Sequence, residues 1–336
     1  MVGGGVGGRG RSVYTVFMHS KSVRIFNTIN GQMDRFLPVL PPLGLLLGFL
    51  LPGVFIHLRS YVSLLFAMMT LSGALKIRIV EFSSTIRSPF PILVSFFSAH
   101  IAMPLFTLLC TSFLFRGDNE TITGFILLYC GPIAVSSFIW VTIYNGNKAL
   151  SLMLILLGTL SAPLLVPGTI SLLMGARVVI NISGIAISLV LMVVIPTIVG
   201  VTLNETSRGK IPDRICPYLN PVSKICLMLV IAANTAPLAA MIRFDDPFFW
   251  KLAGVNIMLM AGNFMLAKLA GILTKCNPEK SIALFFSGSL RNFAAIATIA
   301  VTFFPEAVSF PIILAILLQH SISALMAKLV IRKMDN

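Results

Sequence analysis

Long apolar stretches alternate with short, polar and mostly basic interruptions along nearly the whole chain. Runs of about 20 residues match the thickness of a bilayer's hydrocarbon core crossed as a helix. Their residue periods are helical, and they are too long for the strands of a membrane barrel. The pattern predicts about ten spans, at 36–53, 58–75, 89–115, 121–144, 148–174, 178–203, 219–242, 248–273, 281–304 and 307–331. The second is short and carries Arg59 near its outer end. The expected fold is therefore an all-α polytopic membrane protein, its apolar faces in contact with a lipid bilayer.

Composition agrees. Of the 336 residues, 57% are hydrophobic and only 11% charged, with a mean hydropathy of +0.96, whereas about a quarter of a soluble domain is charged. The net charge of +14 would point to nucleic acid in a soluble protein. Here the basic residues fall in loops and orient the spans, so no nucleic-acid partner is implied. With the N-terminus inside, 19 of the 25 Lys and Arg lie on the cytosolic side. Five (Arg59, Arg116, Arg177, Arg243 and Lys251) lie outside, and Arg291 alone lies at mid-membrane depth. That asymmetry predicts cytosolic N- and C-termini for a multi-pass protein of the cell (plasma or inner) membrane. Five cysteines without a C-x-x-C imply no metal site, no cofactor and no disulfide frame. Residues 1–35 are Gly-rich and basic without an apolar core, which predicts a disordered cytosolic tail rather than a cleaved signal. Residues 332–336 form a second cytosolic tail.

Ten spans with both ends inside divide as five plus five, 36–174 and 178–331, each half entering from the opposite side as an inverted repeat requires. An internal echo supports the division. N-K-A-L-S (Asn147–Ser151) in the first half has a counterpart in P-E-A-V-S (Pro305–Ser309) in the second. Upstream of each is a helix interruption, Cys130-Gly131-Pro132 in one case and Ser287-Gly288-Ser289 in the other. Proline removes a backbone N–H and clashes with the preceding turn. Gly131, Pro132 and Gly288 are thus the expected breaks, in the fourth and ninth spans, leaving free backbone groups near the bilayer middle.

Candidate chemistry gathers at the same places. Arg291, with about a dozen mostly apolar residues on either side, stands at a depth where an unpaired charge costs several kcal/mol. All 11 Asp and Glu residues fall in tails, loops or span ends, so no buried carboxylate is available to it. Two readings stay open. The guanidinium is either satisfied by carbonyls of the interrupted helices, or it is a fixed cation facing an anionic substrate. Asn292, Ser136 and Ser137 would complete such a substrate site, with Ser151 and His100 as outer candidates. His100 and His320 could also couple a proton, although a buried neutral histidine bonded to a carbonyl is the commoner case. Asn145 and Asn147 fit turn chemistry. Asn181, Asn234, Asn256 and Asn263 could line a pathway, but interhelical hydrogen bonds explain them as well. No carboxylate pair, metal cluster or activated nucleophile lies at membrane depth, which argues against an enzyme.

These motifs resemble the bile acid:sodium symporter family, including its bacterial members. C-G-P-I-A-V-S-S-F followed by G-N-K-A-L-S (from Cys130 to Ser151) is similar to that family's C-P-G-G-x-x-S-N and G-N-x-A-L-S. L-R-N-F-A-A-I-A (from Leu290) is similar to its E-x-G-x-Q-N-x-x-L-A, and F-P-E-A-V-S-F-P with Gln319 continues the likeness. The resemblance implies a panel domain and a core domain, with helices 4 and 9 broken and crossing, and transport by movement of core against panel. The departures concern the family's sodium ligands. Its Ser-Asn pair becomes Ser137-Phe138, while Ser151 is kept and a later threonine becomes Ile155. The glutamate that serves both sodium sites is Ser287, its neighbouring glutamine is Arg291, and a glutamine of the third span is Ala99. Sodium prefers oxygen ligands with compensating negative charge. The expectation is a secondary transporter of an organic anion by alternating access, without sodium coupling. The alternatives are a sodium- or proton-coupled relative with a rebuilt ion site, and a non-transporting receptor. The sequence leaves open whether Arg291 stands in for the ion or retires its site.

Overall fold

In the computed structural model, residues 39–79, 89–241 and 245–330 are described, with Thr28 and Met33 singly. Most of the expected N-terminal tail, the C-terminal tail, Glu81, Arg87 and Arg243 lie outside the described residues.

A helix is counted once here where a 3₁₀ or π turn only interrupts it. On that count the described residues form twelve helices and no β-strand. They are α1 (Leu40–Leu50), α2 (Pro52–Ala74), α3 (Pro89–Leu114), α4 (Asn119–Cys130), α5 (Ser137–Ile143) and α6 (Lys148–Met174). Then come α7 (Ile182–Ser207), α8 (Lys210–Ala239), α9 (Pro247–Leu273), α10 (Pro278–Ser289), α11 (Phe293–Phe303) and α12 (Glu306–Val330). Seven of them are long and apolar enough to cross a membrane, namely α2, α3, α6, α7, α8, α9 and α12. Leucines such as Leu164 (79% exposed) and Leu172 (84%) face outward, as they must where the surroundings are hydrocarbon.

Chain punctuation follows local chemistry. Side chains of Asp118, Asn147, Asn181, Asp246, Asn277 and Asn292 accept a backbone N–H in the first turn of α4, α6, α7, α9, α10 and α11, which satisfies one of the orphan donors there. The fourth predicted span is α4 plus α5 and the ninth is α10 plus α11, so both are interrupted. The predicted seventh span is corrected at its start. Instead of beginning at 219, α8 begins at Lys210, because an amphipathic, charged first turn extends the helix beyond its apolar part. The tight reversal before it uses left-handed residues, Arg208 (φ 53°) and Gly209 (φ 85°).

Helices α1, α2, α7 and α8 pack together, α8 lying against α1 and α2, and α2 against α7. The two interrupted helices lie among α3, α6, α9 and α12. The first helix is seated unusually close: a Cβ on Gly44 or Gly48 would fall 2.6 Å from Met228 O or 2.3 Å from Ala232 O. Small residues permit such an approach between helices in a membrane. One apolar core joins α4, α6, α7, α8, α9, α11 and α12, and a second surrounds both breaks with residues of α5, α6, α10 and α12.

Candidate functional site

The two interruptions meet. Beyond Cys130, Gly131 turns extended (φ −58°, ψ 157°). Ile133 then pairs with Arg291 in an isolated antiparallel bridge. Asn292 N–H donates to Pro132 O at 2.9 Å, and Ala134 N–H donates to Leu290 O at 3.0 Å. Gly131 is required here by space, since a Cβ would come within 2.6 Å of the Ile296 side chain.

Gly288 is a correction to the expected breaks. It lies inside the last turn of α10, and the chain leaves helical geometry only at Leu290 (φ −86°, ψ 121°). Ser289 Oγ donates back to Phe285 O at 2.5 Å, within the last turn of the helix.

A helix that stops inside a bilayer leaves carbonyls without donors. At this break four consecutive carbonyls are each satisfied from a different place. Gly288 O accepts from Arg291 Nη2 at 3.1 Å, and Ser289 O from Asn263 Nδ2 of α9 at 2.5 Å. Leu290 O accepts from Ala134, and Arg291 O from Gln319 Nε2 of α12 at 2.8 Å and from Phe293 N–H at 3.0 Å.

Arg291 is wholly buried. Its Nη2 also donates to Ala99 O of α3 at 3.0 Å. That carbonyl is available for a local reason. Residues Ser98–Ala102 form a π turn in which Met103 N–H donates to Ser98 O, and Pro104 has no N–H. Neither of the donors that would ordinarily reach Ala99 O along the helix can do so. In this conformation carbonyls thus bond one of the three guanidinium nitrogens, Nη2.

The serines form a second cluster. Ser287 Oγ lies 2.8 Å from Ser151 Oγ and 3.4 Å from Ser137 Oγ, linking α10, α6 and α5, and all three are buried. Ile155 is buried in the surrounding apolar core, against which Phe138 packs. His100 is buried within the π turn, with its ring centroid 4.4 Å from that of Phe96. Both its nitrogens, Arg291 Nε and Nη1, Ser95 Oγ and Tyr129 Oη lack a hydrogen-bond partner among the described residues.

Six residues were singled out for substrate. Arg291, Ser137, Ser151 and His100 are enclosed, whereas Asn292 and Ser136 are half-buried and reach a surface. Asn292 also caps α11 through Ala295 N–H at 3.2 Å. The interhelical explanation holds for Asn234, which donates to Thr298 Oγ1 at 3.1 Å, and for Asn256, which donates to Pro311 O at 3.2 Å. It holds for Asn263 too, and sequence reasoning named Asn263 and Gln319 without their acceptors at the break; what it missed is the acceptor Ala99 O. The one legible signal for the last was Pro104, five residues downstream.

A profile of the sodium bile acid symporter family matches residues 62–242, more than half of the chain. The chain belongs to this family. As a family member it is an integral membrane transporter, its break motifs being those through which the resemblance was first visible. The uncharacterised protein YbaS of Bacillus subtilis (strain 168) is 35% identical over 289 residues, covering 86% of this chain and 94% of that protein. A probable chloroplastic sodium/metabolite cotransporter of rice (Oryza sativa subsp. japonica), BASS2, is 29% identical over 212 residues, 62% of this chain and 49% of the relative. The uncharacterised sodium-dependent transporter YocS of Bacillus subtilis is 25% identical over 187 residues, 56% of this chain and 58% of the relative. Against the rice protein the match therefore extends over about half of the relative's length.

Proposed function

We propose that this family member is a secondary transporter that moves an organic anion by alternating access without sodium coupling. The observation that carries the reading is Arg291, a fully buried guanidinium at the meeting point of two broken helices, with no acidic residue at mid-span among the described residues. A fixed positive charge in a medium of low dielectric attracts anions and repels a second cation. Asn292 and Ser136, at the exposed rim of the same crossing, would make first contact with the substrate. Arg291 would supply the field behind them. Ser137, Ser151 and His100 would shape the inner wall. Where coupling carboxylates would be needed to hold sodium, a hydroxyl of Ser287 stands among hydroxyls, which supports loss of the ion. In this reading residues 36–174 and 178–331 are inverted repeats, with α1, α2, α7 and α8 forming the panel and the remaining helices the core. Both termini are cytosolic, as the basic loops require.

The test is thermal unfolding of the purified protein across carboxylate and sulfonate anions, in sodium and in choline salts, followed by uptake of any stabilising anion into liposomes. We expect anion-dependent shifts of equal size in the two salts, and uptake in both. A shift or uptake that requires sodium would overturn the uncoupled reading, and binding without flux would favour a receptor.

A further inference from the structure

Helix α8 is longer than a bilayer requires. It runs for 30 residues, Lys210–Ala239, about 45 Å at the helical rise, against a hydrocarbon core of about 30 Å. The excess of about ten residues corresponds to the charged turns that precede the expected start at 219. Those turns stand at headgroup level, a depth that suits the ring of Tyr218. Exposed cations gather there from three helices. Lys76 and Arg78 lie just beyond α2, Arg208 in the turn after α7, and Lys210 and Arg214 one turn apart on α8. The three ends are tied together. Ser72 Oγ donates to Asn220 Oδ1 at 3.0 Å, Asn204 Nδ2 donates to Ile77 O at 3.0 Å, and Ile79 N–H donates to the Glu205 carboxylate. Among the described residues of these ends the acids are Glu205, already engaged, and Asp213.

An apolar track leads away from this cluster. Ile215, Val222 and Ile225 of α8 are exposed (42%, 39% and 46%), and at the helical repeat they share one side of the helix with Arg214. From Arg214 to Ile225 the helix rises about 16 Å, close to the hydrocarbon depth of one leaflet. We propose that the joined ends of α2, α7 and α8 form a binding site for one anionic phospholipid. Its phosphate is held by Lys210 and Arg214, and an acyl chain lies along Ile215, Val222 and Ile225. Arginine engages phosphate oxygens in pairs and lysine adds a point charge. Charge selects the lipid class. Five cations against one disengaged carboxylate favour a headgroup of net negative charge, such as phosphatidylglycerol, over one that brings its own ammonium. The bound lipid would bridge three helices that the crossing of the broken spans does not include. Only the assignment to the cytosolic leaflet rests on the orientation given above, and binding requires neither an organic anion nor its transport.

The test is thermal unfolding of the delipidated full chain in detergent, titrated with phosphatidylglycerol, with phosphatidylcholine of the same acyl chains, or with glycerol 3-phosphate. Phosphatidylglycerol is expected to raise the midpoint saturably, by about 4 °C or more, while the other two leave it flat. In Lys210→Gln/Arg214→Gln the phosphatidylglycerol concentration for half the effect should rise at least about tenfold, as the loss of two surface cations warrants. Ile215→Ser/Val222→Ser should weaken the response as well, through the acyl track. Arg116→Gln/Arg177→Gln, which removes the same charge from the opposite ends of the spans, should respond as the native protein does. An equal response to phosphatidylcholine would overturn the proposal, and so would an equal response to glycerol 3-phosphate, which would mark a site for free phosphates. Equal weakening in Arg116→Gln/Arg177→Gln would also overturn it, by reducing the effect to net charge. Should Lys210→Gln/Arg214→Gln not be monodisperse, Arg78→Gln/Arg208→Gln decides by the same measure, a native-like response overturning the site. Failure of an organic anion to bind leaves these results untouched and bears only on the transport reading.

Discussion

Gln319 and Asn263 reach across from α12 and α9 to carbonyls at the second break. Replacing Asn263 with leucine of similar size would strand Ser289 O, at a cost of about 1–3 kcal/mol, whereas Gln319→Leu leaves Arg291 O its bond from Phe293 N–H and should cost less. Thermal unfolding should therefore show a midpoint lowered by several degrees for Asn263→Leu and by less for Gln319→Leu. Gln319→Glu should fare no better, because a carboxylate cannot donate to Arg291 O. Unchanged midpoints in all three variants would mean that the break is closed by other groups. These contacts were not legible in the sequence, since an amide in a span announces only that it will find a partner, not which one. Arg291 was legible in another way. Its depth and the census of acids marked it as a residue needing special partners, and the choice between carbonyls and substrate required coordinates.

At the scale of elements, the breaks in the fourth and ninth spans could be read from Gly131-Pro132 and from the polar S-G-S run, because proline and paired small polar residues disturb an otherwise apolar helix. The second break was read too early. Its actual position, Leu290 to Asn292, contains neither glycine nor proline, and it is set by pairing with the other interrupted helix. The π turn of α3 was likewise invisible until Met103 N–H was seen to bond Ser98 O. The first helix shows how closely elements are fitted. Gly48→Leu would drive a Cβ into Ala232 O, 2.3 Å away, with an overpacking cost of about 1–3 kcal/mol or more. Gly53, where an added Cβ meets nothing within 4 Å, supplies the control. We expect Gly48→Leu to lose monodisperse yield and thermal stability while Gly53→Ala matches the native protein on size-exclusion chromatography.

Across the whole molecule, two ties join the group containing α2 and α8 to the broken ninth span. Asn234 of α8 donates to Thr298 Oγ1 of α11, and Arg59 of α2 donates to Val301 O near the end of the same helix. If the panel and core move against each other, these contacts must part during each cycle. In a background lacking the five native cysteines, Asn234→Cys/Thr298→Cys should form an oxidant-dependent cross-link. Closing it should reduce uptake into liposomes by at least about tenfold, with recovery on reduction. Undiminished uptake with the cross-link complete would exclude relative motion of α8 and α11. The all-helical, membrane-spanning architecture was open to sequence reasoning because each apolar run carries its own length and period. The grouping of helices was not, since apolar faces toward lipid and toward protein look alike in composition.

The meeting of the two breaks also sets an order on biogenesis. A ribosome that has delivered the chain only as far as Leu273 has already placed Pro132 O and the Ala134 N–H at mid-span. Their partners, Asn292 and Leu290, are not yet made. The same is true of Asn263, whose acceptor Ser289 O follows it by 26 residues. Until the last three helices are inserted, the nascent protein carries exposed backbone polarity in an environment that cannot hydrate it. The translocon or an insertase must therefore shelter the chain up to Leu273, about four-fifths of this polypeptide, and premature termination anywhere before α11 should yield a substrate for membrane quality-control proteases rather than a stable half-transporter.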